Sequence, residues 1–283
     1  MIGPYCSRNG TLLPLAEATV PIDDVNFQYG YGVYETMKVR KGVLYFPEMH
    51  EQRLFHSAQV IGLGHLLQPG DVSRWTGELI AANRISDANI KQLLIGSPTE
   101  DRPELSTLYI MALNPLFPDR KLYQRGAALI IVEAERQFPQ AKSLNMLAST
   151  IAYRKARAAG AYDALLLNRH GNVTEGTRTN FYVTDGQTIR TTPHSQVLAG
   201  VTRTTVNQVI DNLGVPLLEE PVAQRELAHV AGCFVTSTSS KVMPVSRIGD
   251  LEFEIPELVR RLMKAYDAFL KQYAEGRPGA LAR

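Results

Sequence analysis

Two prolines and a cluster of charged side chains interrupt the chain at residues 114–126, "NPLFPDRKLYQRG". Proline lacks the N–H group that a helix interior or a strand ladder requires, so the regular patterns on either side cannot continue through this stretch. The chain has 283 residues, a length that suits two domains of ordinary size. We therefore predict a small N-terminal domain over residues 1–113, a linker over 114–126 and a larger C-terminal domain over 127–283.

Strand and helix patterns occur in both halves of the chain. The segment "GVYETMKVRKGVLYF" predicts a hairpin over residues 33–46 that turns at Lys41, and Pro47 predicts the start of the following helix. After the linker, "AALIIVEA" predicts a buried strand, and a helix over about 147–159 is expected to end at Gly160. Because strands and helices do not alternate strictly, the predicted fold class is α+β rather than a doubly wound sheet.

Three further helices are indicated by the pattern. Asp71 can cap a helix over about residues 72–83, and Thr202 has the residue type of an N-cap for a helix over about 204–213. The last predicted helix covers about residues 257–273.

Composition excludes several classes of function. The formal net charge is only +2 and 45% of the residues are hydrophobic, so neither nucleic acid nor an anionic membrane is an expected partner. No run approaches the roughly 20 apolar residues that a membrane helix needs, and the first residues lack the pattern of a secretory signal. Cys6 and Cys233 match no metal-binding or redox spacing. We expect a cytoplasmic protein with reduced thiols and no metal.

Four polar positions interrupt otherwise structural patterns. Lys142 stands in "KSLN", Glu175 in "VTEGTRTN", Thr202 in "LAGVTRTTV", and residues 236–240 read "TSTSS". Taken singly, each is more often structural than functional: a solvated lysine, a turn carboxylate, a helix cap or the hydroxyls of a turn.

Together, the four positions match the needs of a pyridoxal phosphate site. A lysine forms a Schiff base with the cofactor aldehyde, and a carboxylate keeps the pyridine nitrogen protonated so that the ring accepts electrons from the substrate Cα. The start of a helix with small residues, as in "GVTRTT", favours a phosphate through its N–H groups and dipole. The lysine must lose a proton held with an ordinary pKa of roughly 10.4, so we expect a desolvated pocket around it.

The motifs that carry these residues resemble a known family in their order and separation. They are "DDVNFQYGYGVYETMKV", "HEQRL", "KSLNML", "VTEGTRTNFYV", "LAGVTR" and "FVTSTSSKVMPV", spread over about residues 22–245. In this respect the chain is similar to the class IV (fold-type IV) pyridoxal phosphate enzymes, which include branched-chain and D-amino acid aminotransferases and aminodeoxychorismate lyases. The resemblance implies a small α+β N-terminal domain and a larger pseudo-barrel C-terminal domain that binds the cofactor. It also implies a homodimer.

The resemblance assigns roles to matching positions. Lys142 would be the Schiff-base lysine and the catalytic proton carrier, and Glu175 would pair with the pyridine nitrogen. Arg53 would bind the phosphate, and Tyr34 would line the substrate pocket. The full set of cofactor-binding residues that it implies is Lys142, Glu175, Arg53, Leu198, Val201, Thr202, Ser237 and Thr238.

Two departures from the family concern the substrate carboxylate. D-amino acid aminotransferases place an arginine at the end of the third strand, where this chain has Ile95, and the tyrosine-x-arginine of typical branched-chain enzymes is also absent. Another group must hold the carboxylate. We expect Lys38, Arg40 or Arg178 to do so, helped by the turn that contains Ser239.

The resemblance implies a transaminase that moves an amino group from a branched-chain or other aliphatic L- or D-amino acid to a 2-oxo acid such as 2-oxoglutarate or pyruvate. "KSLN" is shared with the D-amino acid aminotransferases. An aminodeoxychorismate lyase is an alternative, although such lyases often carry "KHLNRL" where this chain has "KSLNML". A pyridoxal phosphate-binding protein without turnover is a third possibility, disfavoured by the presence of both Lys142 and Glu175.

Overall fold

The structure is a computed structural model that describes residues 1–97, 99 and 101–277. The chain forms two compact units, and the first contains two segments that lie beyond the predicted boundary at 114–126. The first unit comprises Met1–Leu116, Ala141–Asn145 and the described part of Tyr273–Arg283, and the second comprises Phe117–Gln140 and Met146–Gln272. The segment that carries Lys142 therefore belongs to the first unit.

A six-stranded sheet forms the first unit, with the strand order β2-β1-β6-β5-β3-β4. Its strands are β1 (Tyr5–Arg8), β2 (Thr11–Pro14), β3 (Gly32–Arg40), β4 (Val43–Leu44), β5 (Ala88–Ile95) and β6 (Thr107–Leu113). Its helices are α1 (Val25–Tyr29), α2 (Pro47–Val60) and α3 (Asp71–Ala82). The predicted hairpin at Lys41 and the helix that begins at Pro47 are confirmed.

Alternation along β3 decides which face of this sheet is buried. Successive side chains of a strand point to opposite faces, and Val33, Met37 and Val39 on one face are fully or almost fully buried. They pack with Leu54 of α2 and Leu79 of α3 in one core cluster. Burial of each such side chain contributes roughly 1.5–3 kcal/mol to folding. The opposite face, which carries Tyr34 and Lys38, is only partly buried.

The second unit is built on a larger sheet that closes on itself. Its strands are β7 (Ala127–Glu133), β8 (Asp163–Leu167), β9 (Asn172–Gly176), β10 (Asn180–Thr184), β11 (Ile189–Thr191), β12 (Leu217–Glu219), β13 (Val222–Ala223), β14 (Gly232–Ser237), β15 (Lys241–Ile248) and β16 (Leu251–Glu252). The path β10-β14-β15-β7-β8-β9 returns to β10 through the pairing of Asn180 with Glu175. This closure confirms the expected barrel-like architecture, and the mixed strand and helix content confirms the α+β class.

Four helices belong wholly or largely to the second unit: α4 (Arg120–Arg125), α5 (Leu147–Ala158), α6 (Val201–Asn212) and α7 (Glu257–Glu275). The predicted end of α5 at Gly160 is confirmed, because this residue adopts a positive φ of 68°. No helix of the described residues is long and apolar enough to cross a membrane.

The predicted linker contains a helix, and two local predictions are wrong. Residues 120–125 of the predicted linker form a helix, which the side chain of Asp119 caps by accepting from the N–H of Lys121 at 2.9 Å. Asp71 and Thr202 are not N-caps but lie inside the first turns of their helices, where Gly70 and Gly200 occupy the cap positions. In both cases a glycine one or two residues earlier bends the chain into the helix before the polar residue is reached.

Candidate active site

The main chain of Lys142 is fixed by the edge of the first unit's sheet. The N–H of Tyr34 donates to the carbonyl oxygen of Lys142 at 2.8 Å, and the N–H of Leu144 donates to the carbonyl oxygen of Gly32 at 2.8 Å. The N–H of Lys142 donates to Oγ of Ser57 in α2 at 3.0 Å. These bonds hold the lysine backbone between β3 and α2, so its side chain starts from a rigid position.

The side chain of Lys142 contacts the ring of Tyr34. Its Nζ lies 4.5 Å from the ring centroid, and Nζ of Lys91 lies 5.4 Å from the same centroid. Lys142 is half-buried, and within the described part of the chain no carboxylate forms an ion pair with it. An amine that is held by its backbone and has no counter-ion there suits covalent attachment to an aldehyde better than a structural salt bridge.

Arg53, the predicted phosphate ligand, forms a buried network on the opposite face of β3. Its Nε donates to Oε1 of Glu35 at 2.6 Å and its Nη2 to Oε2 at 2.7 Å. Nδ1 of His50 lies 2.7 Å from the same Oε2. Burial alone would raise the pKa of Glu35, but Arg53 and His50 outweigh it and hold this pKa well below its ordinary range.

His50 is held neutral in this network. Burial lowers its pKa, and the neighbouring Glu35 offsets only part of that effect. A neutral imidazole whose Nδ1–H donates to a carboxylate presents Nε2 as an acceptor. Glu35 therefore positions both Arg53 and His50 and fixes the tautomer of the histidine.

Glu35 was not identified from the sequence, although the alternation along the strand places this carboxylate on the buried face. Glu35 occupies the buried face of β3 between Val33 and Met37 and is 0% exposed. A buried carboxylate requires partners, because an unpaired charge is costly away from water. Arg53 and His50, one turn apart on the following helix, were the available partners.

Glu175 lies at the strand pairing that closes the barrel of the second unit. Nη1 of Arg136 donates to its Oε1 at 3.0 Å, and the N–H of Leu198 donates to its Oε2 at 3.4 Å. Glu175 is 5% exposed, so its carboxylate is largely removed from water. Arg136 was not identified from the sequence, since an arginine in a charged loop, "EAERQ", has no distinguishing pattern.

A second buried carboxylate supports the loop after Glu175. Oδ1 of Asp163 accepts from Oγ1 of Thr177 at 2.5 Å, and its Oδ2 accepts from Oγ1 of Thr179 at 3.0 Å. Burial raises the pKa of Asp163, and the bonds from the two threonines oppose that effect. Thr177 and Thr179 of "TEGTRT" thus fix the loop to the buried carboxylate of Asp163.

The start of α6 provides backbone donors near Leu198. The side chain of Asn180 donates to the carbonyl oxygen of Leu198 at 2.9 Å and fixes the turn that leads into the helix. At Gly200, an added Cβ would lie 2.1 Å from Oδ1 of Asn180, so any larger residue would displace the Asn180 side chain from its bond to Leu198. Val201 and Thr202 are buried in the first turn of α6, where backbone N–H groups lack helical partners and favour an anion.

The hydroxyl-rich turn between β14 and β15 is organised by Ser237. Its Oγ lies 2.6 Å from Oγ of Ser240 and 3.3 Å from Oγ of Ser239, and it accepts from the N–H of Ser240 at 3.1 Å. Thr238 lies at the half-buried tip of this turn. The turn is therefore fixed by its own hydroxyls.

The three predicted carboxylate-binding cations occupy different surroundings. Lys38 lies on the partly buried face of β3. Nη1 of Arg40 is 3.1 Å from Oδ1 of Asp87 in an exposed ion pair. The guanidinium of Arg178, in the second unit, lies 4.1 Å from the centroid of the Tyr153 ring.

Comparison with known proteins gives consistent results. The family model "Amino-transferase class IV" matches residues 32–248. A D-alanine aminotransferase of Bacillus licheniformis is 32% identical over 85% of this chain and 87% of its own length. A probable branched-chain-amino-acid aminotransferase of Rickettsia typhi is 30% identical over 93% and 95% of the two chains. The crystal structure of a branched-chain aminotransferase from Thermoproteus uzoniensis with norvaline superposes with a TM-score of 0.88, at 25% identity and 97% coverage of both chains.

Proposed function

This chain belongs to the class IV aminotransferases, and we propose that it moves the amino group of a branched-chain or other aliphatic amino acid to a 2-oxo acid such as 2-oxoglutarate or pyruvate. The D-alanine and branched-chain aminotransferases to which it is similar are named for donors with aliphatic side chains. The observation that carries the proposal is Lys142, whose backbone is held from both sides and whose Nζ faces the ring of Tyr34.

Class IV aminotransferases use pyridoxal 5'-phosphate, and the residues of this chain fit that group. Lys142 offers an amine without a carboxylate counter-ion among the described residues. Glu175 offers a buried carboxylate and Arg53 a guanidinium held by Glu35. When bound, the group supplies an aldehyde for the amine and a ring that accepts electrons from the substrate Cα.

The residues that would hold the cofactor follow from these chemistries. Lys142 would bind it covalently through Nζ, Glu175 would hold the proton of the pyridine nitrogen, and Arg53 would bind the phosphate. The turn at Val201 and Thr202 and the tip at Thr238 would add phosphate donors, with Leu198 and Ser237 against the ring. We propose Tyr34, Lys38, Arg40, Arg178 and Ser239 as the residues that contact substrate.

Lys142 would also carry the reacting proton. Its Nζ takes the proton from Cα of the amino donor and returns a proton when the 2-oxo acid is aminated. The face of the Tyr34 ring, 4.5 Å from Nζ, positions the amine for these transfers.

We propose that the active protein is a homodimer. Several apolar side chains near α1 are largely exposed: Ile22 at 90%, Val25 at 51% and Tyr29 at 81%. Such a group of exposed apolar side chains marks an interaction surface. Light scattering of the purified protein should give twice the mass of one chain, and a monomer would contradict the proposal.

A donor panel tests the proposed reaction. L- and D-forms of alanine, valine, leucine, glutamate and phenylalanine are each offered with 2-oxoglutarate or pyruvate, and the new amino acid is measured by chromatography. We expect turnover with aliphatic donors of one configuration, either L or D. When donor alone is added, the absorbance should shift to that of the pyridoxamine form. Pyruvate release from aminodeoxychorismate without amino transfer would favour a lyase. An unchanged spectrum with every donor would contradict catalysis altogether.

A further inference from the structure

We propose that Lys91 on β5 is the cation that binds the substrate carboxylate. The proposal rests on the aminotransferase reaction proposed above and names a group that the sequence did not single out. Its basis is the placement of Lys91 and Lys142 at one aromatic ring within the first unit.

The pairing of β3 with β5 sets the position of Lys91. In this antiparallel pair Thr36 lies opposite Lys91 and Tyr34 lies opposite Leu93. Residues directly opposite each other share a face, and their diagonal neighbours are within reach of long side chains. Lys91 therefore stands on the face of Tyr34, where its Nζ approaches the ring to 5.4 Å from the centroid.

The surroundings of Lys91 supply no counter-ion. Its neighbours across the strands are the uncharged Thr36 on β3 and Met111 on β6. Among residues 1–97, 99 and 101–277, no carboxylate forms an ion pair with Lys91. The side chains of Lys91 and Lys142 face one ring. With Lys142 attached to the cofactor, the positive charge of Lys91 remains there and favours the binding of an anion. The ligand class that fits is a carboxylate whose amino or oxo carbon lies at Lys142.

Position along β3 places two of the predicted carboxylate binders, Lys38 and Arg40, away from Tyr34, although Lys38 is a diagonal neighbour of Lys91. A strand advances about 3.3 Å per residue. Lys38 and Arg40 therefore lie roughly 13 and 20 Å from Tyr34 along the strand. Arg40 is also ion-paired with Asp87. Lys91, by contrast, reaches the ring of Tyr34 beside Lys142.

Kinetics of three variants test the proposal in the cofactor-loaded enzyme. Lys91→Met removes the charge at nearly constant volume, Lys91→Arg keeps it, and Lys41→Met removes a charge from the exposed hairpin turn as a matched control. We expect KM for both the amino donor and the 2-oxo acid to rise at least tenfold in Lys91→Met, with a smaller change in kcat. Lys91→Arg should restore KM to within about threefold, and Lys41→Met should change nothing.

Lysine labelling gives a readout that does not depend on turnover. The loaded enzyme is treated briefly with acetic anhydride, with and without isovalerate, a carboxylate that has no amino group to transfer. Mass spectrometry should show protection of Lys91 by isovalerate and equal labelling of Lys41. Equal labelling of Lys91, or an unchanged KM in Lys91→Met, would overturn the proposal. Protection without transamination of any donor would instead retain the subsite and reject the proposed reaction.

Discussion

The two units each bury a contact between an arginine and a carboxylate, and the two contacts differ in geometry. In the first unit Glu35 receives Arg53 and His50 at 2.6–2.7 Å and is fully buried. In the second unit the contacts of Glu175 with Arg136 and with the N–H of Leu198 are longer, 3.0 and 3.4 Å. The same pair of residue types therefore has two different uses. Glu35 positions an arginine, whereas Arg136 lies beside the carboxylate that we propose holds the proton of the pyridine nitrogen.

Replacement of Glu35 should give the largest effect on stability. Glu35→Leu leaves Arg53 and His50 buried without their carboxylate, and loss of one partner of a buried pair costs about 3–5 kcal/mol. Urea unfolding followed by the fluorescence of Trp75, the single tryptophan, reports on the first unit. Glu48→Ala, which breaks an exposed pair with Arg277, should cost under about 1 kcal/mol. Equal costs for the two variants would contradict the supporting role of Glu35.

Replacement of Glu175 should act on catalysis rather than on folding. Glu175→Gln keeps acceptor capacity toward Arg136 but removes the charge, so kcat should fall on the order of a hundredfold, about 2.7 kcal/mol. Glu226→Gln, which alters the pair of Glu226 with Arg190 in the same unit, is the matched control and should leave kcat unchanged. A Glu175→Gln enzyme with wild-type kcat would refute its proposed role.

Buried groups in the two units should contribute to stability with opposite pH dependence. The folded pKa values of His50 and Glu35 are lowered from 6.5 and 4.5, so their contributions are present above those values and are lost as the pH falls. The pKa of Asp163 is raised from 3.8, so its contribution is present below 3.8 and is lost as the pH rises.

The measurement is the free energy of unfolding between pH 4 and 7.5. The Trp75 signal should show stability falling below pH 6.5, by at most about 1.4 kcal/mol per pH unit for each group. In His50→Gln the decline between pH 6.5 and 4.5 should be shallower, although His65, whose pKa burial also lowers, still contributes to it. In Asp163→Asn, the free energy of unfolding of the second unit, followed by circular dichroism, should decrease less as the pH rises. An unchanged pH profile in His50→Gln would contradict a histidine held neutral.

The smallest effect is expected at the turn before α6. Asn180→Ala removes one hydrogen bond to Leu198 and should cost about 1 kcal/mol. Gly200→Ala should be destabilising in the wild type, because its Cβ would lie 2.1 Å from Oδ1 of Asn180, and less so in the Asn180→Ala background. Additive costs in a double-mutant cycle would show that the two residues do not meet as described.

Much of the fold was predictable because local rules determine it. The hairpin at Lys41, the helix from Pro47 and the stop at Gly160 follow from backbone preferences that act within a few residues. The helix at 120–125 was missed because Pro115 and Pro118, just before it, suggested a linker, whereas the side chain of Asp119 caps a short helix directly after them.

The site was predictable only as far as residue type and order carry information. Lys142, Glu175 and Arg53 were proposed as site residues from motifs. Their supports could not be identified in this way, because Glu35 and Arg136 act through contacts between segments 18 and 39 residues apart in the chain. Lys91 could not be identified from the sequence for a similar reason. Its position at Tyr34 is set by the register of two strands rather than by a motif.

The covalent role of Lys142 is the central claim, and borohydride trapping tests it most directly. The purified enzyme with bound pyridoxal phosphate is reduced, digested and analysed by mass spectrometry. The account predicts a phosphopyridoxyl group on the peptide that contains "AKSLN", at Lys142, and none on a Lys142→Ala variant treated in the same way. A phosphopyridoxyl group on another lysine of the wild type, Lys91 included, would contradict the account.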